Sequence, residues 1–152
     1  MSANDFATVA GTKLFVSTAA PATYDATGYG ALVWTEIGSI TKVGNVVGRT
    51  YSTATLSTVS DAQDREKKGS FKLPNAQFEC AWIENDAGQV IVNNASKDNS
   101  VPSFKLLKQD GTTKRYFTAQ VLEYVENLGQ SNDAVKGSLT LLRQTDTITS
   151  TT

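Results

Sequence analysis

The sequence contains no histidine. That removes the usual general base at neutral pH and the commonest zinc ligand. Histidine-dependent triads, Cys–His sites and zinc proteases are excluded with it. Cysteine occurs once, at Cys80, so no internal disulfide can form and no stapled secreted scaffold is expected. Charge is sparse and balanced: 19% of residues are charged and the formal net charge is −1. A global basic field for holding phosphates is therefore missing, and self-association is unopposed. No apolar run reaches the length of a membrane span, and the first residues carry no basic-then-apolar leader, so neither a membrane nor a secretory route is expected.

What is abundant is small and β-favouring: Thr, Ser, Val, Ala and Gly, punctuated by frequent turn signals. Residues 1–10 read as a loose N-terminal arm and Thr12–Ser17 as a short strand. Residues 18–31, with Pro21, read as a loop. Trp34–Val43 reads as one long strand bulged at Gly38. Residues 48–69 read as a long inter-strand loop, with a partial strand at Tyr51–Val59 and a charged stretch from Ser60 to Gly69. Across Ser70–Ile83 the sequence alternates, with Ala76, Phe78, Cys80 and Trp82 on one face and Gln77 and Glu79 on the other. Asn85 or Asp86 is placed to cap a short helix over Asp86–Asn94. Phe104–Gln109 and Lys114–Tyr124 flank Asp110-Gly111, a hairpin signal. A last strand spans Ala134–Gln144, and 145–152 is a polar tail. The expected fold is one mostly-β domain over 1–152, a sandwich or barrel of about seven strands with one short flanking α-helix.

The search for chemistry returns little. Gly28-Tyr29-Gly30 does not continue into a phosphate-binding glycine pattern. Asp61, Asp64, Glu66, Glu84 and Asp86 lack calcium-loop spacing, and Asn94-Ala95-Ser96 has no secretory context for glycosylation. Cys80, Trp34 and Trp82 read as core residues. No catalytic, cofactor or metal residue is assigned, and the chain reads as a structural protein, not an enzyme. What stays unexplained is surface: an arm, a long loop and a tail that only assembly would order.

The order of these segments resembles the major tail tube proteins of long-tailed, non-contractile (siphovirus-type) bacteriophages. Gly11–Val16 is similar to their opening strand, and Trp34–Ile40 to their second. Tyr51–Lys68 resembles their long, acidic, variable loop. Gly69–Trp82 is similar to the strand that follows it, Asp86–Asn94 to their helix, and Phe104–Tyr124 with Lys136–Arg143 to their closing hairpin and strand. The resemblance implies a virion protein, assembled in the host cytoplasm, whose hexameric rings join their inner sheets and stack into a tube for DNA ejection. It implies no cofactor. The implied partners are the chain itself, the tape measure, tail terminator and tail tip proteins, and DNA passing through the lumen without specific binding. Asp61, Asp64, Arg65, Glu66, Lys67 and Lys68 would make ring-to-ring contacts, and Glu36, Glu79 and Glu123 would line the lumen.

Three other readings stay open. One is the inner tube of a contractile tail or a type VI secretion system. Another is a monomeric carbohydrate-binding β-sandwich, which needs an exposed aromatic platform. The last is a carboxylate hydrolase, for which Glu79 and Glu123 are the nominees.

Overall fold

In the computed structural model, which describes residues 9–60 and 62–151, the chain is mostly β, with ten strands and two short helices among the described residues. The alternating stretch becomes β6 (Ala76–Ala81), and it buries Ala76, Phe78 and Cys80 while turning Gln77 and Glu79 outward. It lies beside β9 (Lys136–Arg143), which buries Leu139 and Leu141 by the same period of two. β9 in turn pairs with β8 (Lys114–Asn127), the longest strand. The Asp110-Gly111 hairpin forms as expected, joining β7 (Ser103–Leu107) to β8. Gly111 takes a positive φ of 77°, which costs glycine nothing, and Asp110 accepts from Thr112 N and Thr113 N.

β8 belongs to two ladders. Lys114–Thr118 pairs with β7, which pairs with β1 (Lys13–Ser17) and, beyond it, β2 (Thr35–Ile37). Ala119–Asn127 pairs with β9, then β6, then β3 (Ile40–Lys42). The eight-stranded sheet therefore closes over one core, in which Leu14, Val16, Phe104 and Phe117 of the first ladder meet Phe78, Leu139, Leu141 and Val121 of the second. Phe104 and Phe117 stack at 5.6 Å.

The chain crosses from one ladder to the other between β2 and β3. Trp34–Val43 is thus not one bulged strand but two short ones in different ladders, broken at Gly38-Ser39, where Ser39 adopts a φ of 59°. α2 (Ala87–Ala95) fixes this crossing. Its N-cap, Asp86, accepts from Gln89 N at the helix start and from Gly38 N in the crossing, each at 3.1 Å. Gln89 is buried and fully satisfied. Its amide nitrogen donates to Gly38 O and Ala81 O, while its Oε1 accepts from Ile83 N and the Tyr124 hydroxyl. One side chain thereby ties helix, crossing, β6 and β8 together.

Several expectations need correction. Residues 18–31 are not all loop, because α1 (Ala26–Gly30) forms there, capped by Asp25 accepting from Gly28 N at 2.8 Å. Its Tyr29 is fully buried and stacks on Tyr116 at 5.2 Å, outside the main core. Residues 48–69 are not a loop: β4 (Thr50–Leu56) and β5 (Arg65–Lys72) pair as a two-stranded hairpin. Ser70–Ile83 is correspondingly the end of β5, an irregular link through Pro74, and β6 with the residues just after it. The polar tail 145–152 contributes β10 (Ile148–Ser150), which pairs with the start of β8. Trp34 and Trp82 are half-buried, not core. Trp34 Nε1 donates to Tyr29 O, and Trp82 stacks on Tyr124 at 4.7 Å while Nε1 donates to Glu84. Of the arm at 1–10, residues 1–8 lie outside the described residues, and Val9 and Ala10 are exposed.

Candidate assembly surfaces

The β4–β5 hairpin is built mostly of Thr, Ser and charged residues, with a few scattered apolar side chains but no apolar stripe to turn inward. Every residue of both strands is exposed. An isolated two-stranded hairpin is marginal in water, so local contacts carry it. Tyr51 opposes Phe71 with rings 5.8 Å apart, and the Lys68 ammonium sits 3.9 Å over the Tyr51 ring. At its base the Arg49 guanidinium lies 4.4 Å over Phe71 and pairs with Asp146, anchoring the hairpin to the segment between β9 and β10. The ion pair holds the Asp146 carboxyl below its usual range, first through the hydrogen bond from Arg49.

The residues expected at ring-to-ring contacts fall here, on a different backbone from the one expected. Asp64 precedes β5 and accepts from Ser57 Oγ. Arg65, Glu66, Lys67 and Lys68 lie on β5, opposite Leu56, Thr55, Ala54 and Thr53. Asp61 lies outside the described residues. With Lys72, the β5 strand carries more positive than negative charge, unlike the acidic loop of the resemblance.

The three carboxylates expected at a lumen do not cluster. Glu79 and Glu123 share the outer face of the β8–β9–β6 ladder: Glu79 opposes Ser138, and Glu123 opposes Thr140. Gln77 opposes Thr140 from the other side, and Val125, Leu142 and Lys136 complete this mixed, mostly polar face. Glu36 stands apart, on β2, opposite Phe15 in the other ladder.

A third feature was invisible in the sequence. β7 leaves β8 at Thr118, and Ala119 N donates to Pro102 O just beyond. Among the described residues, 120–127 are then paired on one side only, by β9. Leu122 and Val125 of this open edge are exposed. Such an edge is a template for another strand. The signal was the mismatch between a short β7 and a long β8, which propensity reads poorly.

No group of three or more Cys, Asp or Glu residues that could hold a metal occurs among the described residues. Among them, too, no helix is long and apolar enough to cross a membrane. Cys80 is buried, and burial pushes its thiol up, away from the reactive thiolate.

By sequence the chain matches no protein-family model and none of the curated proteins. By fold it is similar to several solved structures. The SPP1 tail tube chain superposes with a TM-score of 0.67 at 13% identity, over 97% of this chain and 80% of that one. A chain of the sheath–tube complex of an extracellular contractile injection system gives 0.64 at 11%, over 99% and 95%. A chain of the anti-feeding prophage baseplate gives 0.64 at 8%, over 91% and 89%. The fold of this chain is thus similar to that of the SPP1 tail tube chain and of chains from contractile injection systems.

Proposed function

We propose that this chain is the repeating subunit of a tail tube, a structural protein that works only as an assembly. The observation that carries this reading is the β4–β5 hairpin, which is long and paired yet exposes every residue of both strands. A segment of that kind is accounted for if a neighbour covers it. The open edge of β8 at 120–127 supports the same reading, since lateral pairing with the next subunit would satisfy its free backbone groups. Head-to-tail contacts of this sort close into a ring when the rotation is right. In the proposed tube, hexameric rings stack through the hairpin, with Asp61, Asp64, Arg65, Glu66, Lys67 and Lys68 at the contacts. The outer face of the β8–β9–β6 ladder, with Glu79 and Glu123, turns to the channel. Its two carboxylates repel phosphates and help DNA slide without specific binding. Glu36, on the other ladder, lies outside that lining. Tape measure, terminator and tip proteins cap and fill such a tube in a phage virion.

A second reading is the inner tube of a contractile system. It is supported by the similarity to chains of contractile injection systems, which is close to that with SPP1. A sheath gene beside this one separates the two.

Negative-stain electron microscopy of the concentrated, aged protein tests the proposal, with and without a tail initiator complex. Hollow tubes or rings are expected. Replacing Thr50–Lys72 by a short Gly-Ser linker should leave a folded subunit that makes none. Featureless monomer from the wild type under every condition overturns the tube reading.

A further inference from the structure

The end of the fold at the β7–β8 turn holds an open cavity of about 590 Å³ with an excess of positive charge. Arg49, Lys108, Arg115 and Arg143 line it, and Asp110 is the one acid among its lining residues. Neither nearby carboxylate is available. Asp110 is spent within its own turn, accepting from Thr112 N, Thr113 N and Thr113 Oγ1. Asp146 is held by Arg49.

Arg143 is the unusual member. It is the last residue of β9, on the inward face, and only 4% exposed. Its terminal nitrogens donate to Gly48 O at 3.1 Å and Thr147 Oγ1 at 2.9 Å, and Asp146 stands 3.9 Å away. Its Nε has no hydrogen-bond partner among the described residues. A buried guanidinium with an idle donor and one distant, shared carboxylate is under-compensated. An oxyanion in the cavity, bridging Arg115 and Lys108 at its mouth, would supply the missing negative charge.

The opposite end of the fold carries the complementary sign. β8 starts beside the cavity at Lys114 and ends at Asn127, about 40 Å away at an extended rise per residue. Around that far end stand the exposed acids Glu84, Glu126 and Asp133, with Lys136 among them. The Glu126 side chain, on the strand end that pairs with Gly137, makes no hydrogen bond or ion pair among the described residues. Two copies related head to tail bring these ends together.

We propose that the cavity is a carboxylate site, filled in the assembly by Glu126 from the far end of β8 of a second copy. The occupant rests on the tube reading above, whereas the anion site does not. Two arms keep them distinguishable. In the first, the monomer is titrated with sodium succinate, with sodium chloride at equal ionic strength as control, and the arginine Nε–H signals are followed by NMR. The Arg143 and Arg115 signals should shift saturably with succinate, and Arg115→Ala should weaken binding about tenfold or more. No saturable shift overturns the anion site. Succinate binding that tightens tenfold when residues 2–8 are deleted assigns the cavity to the chain's own Asp5 and overturns the second-copy occupant.

In the second arm, Arg115→Glu and Glu126→Arg are made singly and together, each checked for folding by amide NMR dispersion. Each alone should abolish tubes, and the pair should restore them. Single variants that assemble like the wild type, or a folded pair that stays monomeric, overturn the second-copy occupant. A wild type that never assembles removes the tube reading and the second copy with it, and leaves the anion site to the succinate result.

Discussion

Replacing Gly88 by alanine should destabilise the protein, against the usual sign for a helix. Gly88 sits in the first turn of α2, where alanine ordinarily gains up to about 1 kcal/mol over glycine. Here a Cβ would meet Glu36 O at 2.3 Å, Ile37 Cα at 2.6 Å and Glu36 C at 2.7 Å. All three are backbone atoms of β2, so no side chain can swing away. Relief requires lifting the helix from the strand, which also strains the Asp86 and Gln89 bonds to Gly38. Overpacking of this kind costs about 1–3 kcal/mol, and the backbone nature of the clash favours the upper end. Subtracting the helix gain leaves a net loss of about 1–2 kcal/mol, or a fall in Tm of about 2–8 °C for a chain of this size. Gly30 is the matched control: it ends α1, and a Cβ there meets nothing within 4 Å. Gly30→Ala should be neutral or stabilising by up to about 1 kcal/mol. Urea unfolding followed by far-UV circular dichroism measures both. A Gly88→Ala protein as stable as the wild type would refute the close helix–strand approach.

The remaining predictions concern the core and acid stability. Phe78→Ala, at a fully buried position, should cost about 3–5 kcal/mol, whereas Trp82→Ala should cost clearly less because Trp82 is half-buried and its indole N–H reaches an exposed carboxylate. Equal losses in denaturant titrations would show the Trp82 side to be core. Asp110 is held down to about 2, chiefly by the Thr113 backbone N–H. A depressed carboxyl contributes stability that is complete above its unfolded value near 3.8 and is lost as pH falls through its folded value. Asp110→Ala should therefore be less stable than wild type at pH 7, with the gap closing between about pH 4 and pH 2. A gap that persists at pH 2 would assign the loss to something other than the carboxylate.

Much of the framework was legible because a period or a cap betrayed it. Ala76, Phe78 and Cys80 alternate, as do Leu139 and Leu141. Asp110-Gly111 marks its turn, and Asp86 stands where an N-cap belongs. The failures have physical causes. The β4–β5 hairpin faces no core, so it never shows an apolar period and reads as a loop. α1 has five residues, two of them glycine, and is held by Tyr29 packing on Tyr116, a contact distant in sequence. The break at Gly38-Ser39 is imposed by α2 from 48 residues away, through Asp86. Gly88 argued against the helix by propensity, yet it is what lets the helix sit on β2. Of the candidate site, Glu36, Glu79 and Glu123 were expected together, and only the register shows that Glu79 and Glu123 share one ladder face while Glu36 lies on the other ladder. Arg143 drew no notice, since an arginine ending a strand is ordinarily a surface charge.

The hairpin's isolation has an evolutionary corollary. No core residue reads the sequence of β4 or β5, so substitutions, insertions or a change of sign there are invisible to folding of the lone chain. Foldability is encoded in one set of positions and recognition of neighbours in another. Lineages can therefore rewrite the second at great speed while the first holds still, and two chains could come to share a fold with almost no sequence in common.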